Sequence, residues 1–427
     1  MDNLMHRTFK DFENIPGNGP YERAAEWAAY VADWRSRGHW NYRQEAVTGC
    51  GPRMELRLPG IKHKDFVSVV SNDYLGFTQH PKVKAAAIAA IEKYGTGAGA
   101  SPAIGGHYRF HREIEISIAS FFGWLSAIVY TTGYTANSAM LQCLLKKEDL
   151  AIFDSSVHAS VFEGGLTTNV KTFPHNDLSA LEHVLKITSG KYRTRMIVVD
   201  GVYSQDGDLA PLDQIVALCK QYGAMIVVDD AHGTGVIGVR GRGVLELYDL
   251  LQKVDIITGT FSKTFAHVGG YVVAKPELVE YLKFHSRQHI FSATLPPSCA
   301  CIPVAIDLVD SEPQWMKLLW ENVSYFKKGL EDLGLDVGNT VSAIIPVKTG
   351  DPLLAAEATK LLLQAGVYAN QIGYPAVSKK DARVRQSLMA THTQTDLDQV
   401  LNAWEWIGKK LKLNKRKEPA YDEKEAT

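Results

Sequence analysis

Between about residues 120 and 275, short apolar runs alternate with helical stretches. The runs are SAIVYTTG, LAIFDSS, VKTFPH, RMIVVDG, AMIVVDDAH, VDIITGTFS and GYVVA. They are rich in Val and Ile and flanked by Gly, Asp and Ser. Runs of this kind suit strands buried on both faces of a mainly parallel sheet. Their polar residues collect at the strand ends, which places a site at the sheet's carboxyl edge.

The 427 residues are too many for one simple core and enough for a large α/β domain with a smaller companion. Residues 1–65 read as an N-terminal arm with small-domain elements, and YERAAEWAAYVADWRSRGHW has the apolar spacing of an amphipathic helix. HPKVKAAAIAAIEKYG reads as a helix, with Pro81 near its start and Gly95 at its end. Residues 66–300 read as the large domain. Residues 301–412 read as a small α+β domain with a long helix over QWMKLLWENVSYFKKGLEDLG and short strands in AIIPVKTG and VRQSLMATHT. A closing helix follows, capped by Thr395 or Asp396. Residues 413–427 read as a charged, frayed tail. Its basic cluster, Lys409 to Lys417, marks either a solvated helix end or a weak membrane-surface contact.

Bulk charge narrows the partners. A formal net charge of -1 gives no global field for nucleic acid. Cys50, Cys143, Cys219, Cys299 and Cys301 are few and scattered, which fits a reducing cytoplasm. The close pair, Cys299 and Cys301, reads as two small buried hydrophobes, and no metal site is expected. No signal peptide is expected at the start. No segment approaches the roughly 18 apolar residues of a membrane span.

One lysine stands apart. Lys263 lies in GTFSKTFAHVGGY, at the end of an apolar run and almost without charged neighbours. VVDDAHGTG places Asp229, Asp230 and His232 after another strand, where a buried acid is costly without a partner. DSSVHAS places His158 after a third. TTGYTAN is a glycine turn entering a helix, where backbone N–H groups can hold a phosphate. A solitary lysine can form a Schiff base with an aldehyde cofactor. With hydroxyls for a phosphate and an aspartate for a ring nitrogen, these are the parts that pyridoxal phosphate (PLP) requires.

The ordered motifs from SNDYLG (71–76) to SLMATHT (387–393) resemble the α-oxoamine synthase family of fold-type I PLP enzymes, over roughly three quarters of the chain. The resemblance implies a mainly parallel seven-stranded sheet, a smaller α+β domain and a homodimer with sites at the subunit interface. It implies that Lys263 carries the cofactor and moves the substrate's α-proton. Asp229 would hold the pyridine nitrogen protonated, His232 would bond the phenolic oxygen with Ser204 beside it, and His158 would stack on the ring. Thr260 and the backbone of Gly133 and Tyr134 would take the phosphate. Ser292 and Thr294 would reach a neighbouring subunit's phosphate. Arg385 would grip the substrate carboxylate, while Asn72 and Tyr74 would line the amino-acid pocket.

The implied reaction is decarboxylative condensation of a small L-amino acid with an acyl-CoA or acyl-carrier-protein thioester, with His158 or His232 polarising the thioester carbonyl. RQSLMATHT resembles the bacterial serine palmitoyltransferase branch, so serine and a long-chain acyl thioester come first. Cysteate for sulfonolipids, and alanine with a pimeloyl thioester as in 8-amino-7-oxononanoate synthase, are the alternatives. One segment departs from the family: Pro102 replaces an arginine and His107 a threonine or asparagine, with Arg109 also new. His107 then reads either as a sulfonate contact or as drift. Asp230, His392, His183, His285 and His289 read as structural, and Gly201, Gly207 and Gly233 as turn residues.

Overall fold

A computed structural model describes residues 7–58, 60, 61 and 64–414. It divides into two compact units. Asn72–Leu319 forms the large one, and the segment through Ser71 combines with the segment from Trp320 to form the other.

The large unit is built on seven strands: β1 (Ala127–Tyr130), β2 (Leu150–Asp154), β3 (Asn169–Phe173), β4 (Arg195–Asp200), β5 (Met225–Asp229), β6 (Ile256–Thr260) and β7 (Gly270–Ala274). Each of the seven apolar runs supplies one strand. Their spatial order is β1-β7-β6-β5-β4-β2-β3. β2 to β6 pair in parallel, and β7 runs antiparallel to β1 and β6. The mainly parallel seven-stranded sheet expected from the sequence is therefore observed.

Ile128, Ile152, Ile197, Val227, Ile257 and Val272 are fully buried. Each such side chain contributes about 1.5–3 kcal/mol relative to exposure. β3 differs from its neighbours, with four of its five residues exposed. It is a sheet edge, and Lys171 at its centre discourages pairing with another chain. β1 is also an edge, but helices Arg109–Phe121 and Pro276–His285 pack on it, so it stays buried.

Helix Ile302–Ser311 packs on helices Pro81–Tyr94 and Arg109–Phe121. The large unit therefore runs through Leu319 rather than stopping at 300. In the other unit, Arg383–Ser387 lies between Ile344–Lys348 and Asn370–Ile372 in an antiparallel sheet. The closing helix Gln394–Leu411 is capped by Thr393, not by Thr395 or Asp396. Asp396 is the third helical residue, and its carboxylate accepts from the Thr393 backbone N–H at 2.9 Å. This reciprocal box serves two of the otherwise orphaned N–H groups, which one capping side chain cannot do.

Cys299 and Cys301 are buried, and burial pushes the Cys301 thiol up to about 11. No helix among the described residues is long and apolar enough to cross a membrane. Of the basic tail cluster, Lys409 pairs with Glu405 at 2.6 Å. Residues 415–427, including Lys415 to Lys417, lie outside the described residues.

Candidate active site

The carboxyl ends of β4, β5 and β6 enclose a pocket of about 240 Å³. Lys263, Asp229, His232, His158, Ser204, Thr260, Gly133 and Tyr134 all line it. Sheet register brings them together. Asp200 at the end of β4 stands opposite Asp229 at the end of β5, and Asp229 opposite Thr258 of β6. Lys263 follows β6 directly and is half-buried.

The acidic side of the pocket is well fixed. Asp229 is 6% exposed. Its Oδ2 accepts from Asn137 Nδ2 at 2.6 Å and its Oδ1 from the Ala231 backbone N–H at 3.1 Å. Burial, then the Asp229 charge, pushes Asp200 well above the usual carboxylate range. Burial likewise takes Asp230 up to about 7, with the neighbouring Asp229 adding to the rise. Asp230 faces away from the pocket, where Oδ2 accepts from the Val244 N–H at 2.7 Å. A Cβ at Gly201 or Gly233 would lie 2.4 or 2.2 Å from Asp230 Oδ1. These two glycines make room for a buried carboxylate, a reason the sequence reading of turns missed. Gly207, at φ 72°, does serve a turn.

The hydroxyl side is built from one close approach. Thr132 caps helix α1 (Gly133–Leu144), its Oγ1 accepting from Thr135 N–H at 3.0 Å. A Cβ on Gly133 would come within 2.8 Å of Thr260 Cβ, so only glycine lets this helix start meet the end of β6. Thr260 Oγ1 donates to the Gly269 carbonyl at 2.8 Å and accepts from Ser262 N–H at 3.1 Å. The first N–H groups of α1, beside the Thr260 and Ser262 hydroxyls, form an anion-binding corner.

The two histidines are held differently. The hydroxyl of the buried Tyr74 shares a 2.7 Å hydrogen bond with His232 Nδ1. Asn72 lies behind it, 3.4 Å from the same hydroxyl. Tyr74 thus reaches the pocket through His232. His158 caps a short helix, its Nδ1 accepting from the Ser160 backbone N–H at 3.3 Å. A backbone N–H can only donate, so the neutral ring carries its proton on Nε2. The residue is open to solvent, yet crowding by surrounding atoms and the Lys263 charge lower its pKa, against the pull of Asp229.

Other expected residues lie elsewhere. Thr294 sits 3.4 Å from His111 Nε2 in a small separate cavity, and Ser292 is exposed. His107 does not line the pocket. Its ring stacks on His111, 5.8 Å between centroids, and burial with the Lys283 and Arg112 charges lowers its pKa. A histidine kept neutral is a poor replacement for a lost cation. Arg385 lies on the strand Arg383–Ser387 of the other unit, its Nη1 donating to Ser387 Oγ at 2.9 Å. Asn137 and Asp200 were missed by sequence reading, and Ser262 was covered only as one of the hydroxyls beside Lys263. Asn137 stands four residues after Gly133, on the same helix face, and that spacing was the available signal.

These groups fit PLP. Buried acids at two adjacent strand ends call for cationic partners, which Lys263 and a protonated pyridine nitrogen supply. Asn137 Oδ1 is buried and has no hydrogen-bond partner among the described residues. The phosphate would lie at the start of α1, and the aldehyde would meet Lys263.

The class I and II aminotransferase model matches residues 64–403. The 8-amino-7-oxononanoate synthase of Thermoanaerobacter pseudethanolicus is 41% identical over 356 residues, 83% of this chain and 90% of that protein. The serine palmitoyltransferase of Bacteriovorax stolpii is 38% identical over 347 residues, 81% of this chain and 83% of that protein. A solved serine palmitoyltransferase from S. paucimobilis, with a bound PLP–myriocin aldimine, superposes with a TM-score of 0.88 at 31% identity, covering 92% of this chain and 100% of that one. The chain therefore belongs to the class I and II aminotransferase family and, within it, to the PLP-dependent α-oxoamine synthases.

Proposed function

We propose that this enzyme joins a small L-amino acid to an acyl thioester with loss of CO₂, leaving an α-amino ketone. The observation that carries the reading is the convergence of Lys263, Asp229 and His158 on one pocket, with Asn137 clamping Asp229. When bound, PLP supplies the electron sink at the amino acid's Cα. Lys263 takes the Cα proton. Cα then bonds to the thioester carbonyl carbon and the thiol leaves. The carboxylate departs as CO₂, and a proton returns to Cα. Asp229, locked by two hydrogen bonds, would keep the pyridine nitrogen charged. His158 would stack on the ring, its Nε2–H donating to the thioester carbonyl. His232, oriented by Tyr74, would hold the phenolic oxygen beside Ser204. Gly133, Tyr134 and Thr260 would hold the phosphate. Arg385 binds the substrate carboxylate, and Asn72 and Tyr74 shape the amino-acid side of the site.

Serine stood first on the C-terminal motif. The similar curated proteins shift the order. The 8-amino-7-oxononanoate synthase of Thermoanaerobacter pseudethanolicus, at 41% identity, is more similar than the serine palmitoyltransferase of Bacteriovorax stolpii, at 38%, so alanine with a dicarboxylic acyl thioester becomes the first reading. Serine is the second, favoured by the 0.88 TM-score to a serine palmitoyltransferase. His107 does not line the pocket, so cysteate stands third. The donor is a CoA or carrier-protein thioester. We read the chain as a cytoplasmic homodimer in which Ser292 and Thr294 reach a partner's phosphate.

The test is a titration of the PLP-loaded enzyme with L-alanine, L-serine, L-cysteate and glycine, following visible absorption. Saturation at lowest concentration with alanine supports the first reading, and with serine the second. Saturation by none of the four sinks the amino-acid reading altogether.

A further inference from the structure

The exposed edge strand β3 lines no part of the pocket, but the two residues that follow its connecting Pro174 reach both loops that do. His175 Nδ1 lies 3.1 Å from Asp154 Oδ1, and His175 Nε2 lies 2.9 Å from Asp208 Oδ2. Asp154 ends β2 and is fully buried. Four residues later comes His158. Asp208 sits in the turn that carries Ser204. That turn is closed by Tyr203 N–H donating to the Asp208 carbonyl at 3.0 Å and by Val202 bridging Leu209.

Asn176 repeats the connection. Its backbone N–H donates to Asp154 Oδ2 at 2.8 Å, and its Nδ2 donates to the Leu209 carbonyl at 3.1 Å. It does so at φ 56°, a left-handed conformation that asparagine tolerates. The Tyr203 ring stands edge-on to His175, 4.3 Å between centroids.

We propose that His175, clasped between Asp154 and Asp208, is a positioning residue for the cofactor pocket that ties the His158 loop to the Ser204 turn. The inference rests on the PLP reading of that pocket. Besides the clasp, β2 and β4 are joined by ladder bonds that stop at the strand ends and by a long hydrogen bond, 3.4 Å, from the His158 N–H to Asp200 Oδ1, while Ser204 lies beyond both. Two carboxylates facing one imidazole also oppose each other unless the ring is charged. Against the cost of burial, their hydrogen bonds take its pKa up to about 10. Asp154, Asp208 and Tyr203 face the ring, and Asp200 acts on Asp154 and Tyr203 from β4. A raised folded-state pKa means the clasp contributes fully below the ordinary imidazole value and is lost as pH climbs through about 10.

The experiment compares full-length wild type with His175→Asn and Asp208→Asn. PLP affinity of the cofactor-free protein is read by quenching of tryptophan fluorescence. Amide hydrogen exchange of the cofactor-free protein is read over residues 155–158 and 203–208, corrected for intrinsic rates. Both variants are expected to bind PLP about tenfold more weakly, the loss that one charge-assisted hydrogen bond predicts. Both should exchange faster in the two loops while α1 keeps wild-type protection. Wild-type loop protection should fall between about pH 7 and pH 10, and that fall should be absent in His175→Asn. Unchanged PLP affinity with faster exchange confined to residues 169–176 would overturn the proposal and leave His175 as packing for an edge strand. If His175→Asn fails to fold, Asp208→Asn decides alone. Wild-type protein that binds no PLP would fail the pocket reading itself, a result the exchange data separate from failure of the clasp.

Discussion

Each unit contains sizeable cavities, and the larger of the two compared is not the one on which ionisable groups converge. In the unit formed by the N-terminal segment and the segment from Trp320, a cavity of about 410 Å³ is walled by Phe9, Tyr30, Trp34, Tyr42 and Tyr374. Some of its polar groups are occupied, the Tyr42 hydroxyl donating to the Gln371 carbonyl at 3.2 Å and Gln371 Nε2 to the His39 carbonyl at 2.9 Å, while Trp34 Nε1 is buried with no hydrogen-bond partner among the described residues. The pocket in the large unit is smaller, about 240 Å³, yet Asp200, Asp229, His158, His232 and Lys263 converge on it. Volume measures only where atoms are missing. Buried ionisable groups cost free energy, and their convergence marks where that cost is offset by a ligand. The aromatic cavity instead reflects stiff rings that cannot fill every gap between a helix and a small sheet.

The comparison breaks first at Lys263. Lys263→Ala should lower turnover by about 10⁴-fold and abolish the visible band that borohydride bleaches. Wild-type turnover in this variant would move the chemistry out of the pocket. Asp229→Asn comes next. The amide keeps the hydrogen bond from Asn137 but loses the charge and the acceptor for the Ala231 N–H, so α-proton exchange, followed by NMR in D₂O, should slow by about 10²- to 10³-fold with the fold retained. Unchanged exchange would mean that another group holds the ring nitrogen protonated. Trp34→Ala should have the smallest effect on chemistry and a clear one on folding. Trp34 is 8% exposed and packs with Phe12, Tyr30 and Ala356. Its loss should cost about 3 kcal/mol by denaturant unfolding, with PLP affinity unchanged. A shift in PLP affinity would make the aromatic cavity part of the working site.

The strands were legible because strands buried on both faces admit few residue types. Val and Ile over four to six positions, with Gly and Asp at the ends, leave little else to fold into. β3 was legible as a strand but not as an exposed edge, because its place follows from sheet order. The helix cap was misread by two or three positions. Thr393, Thr395 and Asp396 are all good caps, and only backbone geometry separates the cap from the third residue. Lys263, Asp229, His232 and His158 were legible because each is a polar residue that a strand end must justify. Asn137 was quoted in its motif but left without a role, since its partner Asp229 lies on a distant segment. His107 drew notice as a departure from the family, but its environment was set by burial and by Lys283, far along the chain.

By itself the sequence determined the seven-stranded sheet, the family and the residue types of the site. Burial, charge and turn chemistry act over a few residues and leave their mark in local pattern. Tertiary structure alone decided what fixes the two carboxylates, of which the family resemblance had already assigned Asp229 to the cofactor and left Asp230 structural. It alone placed Asn137 on Asp229 and brought Asp154 and Asp208 to the two sides of His175. Those choices depend on parallel register between segments tens of residues apart. Each is a pairing of separate strands and loops, which local pattern cannot encode.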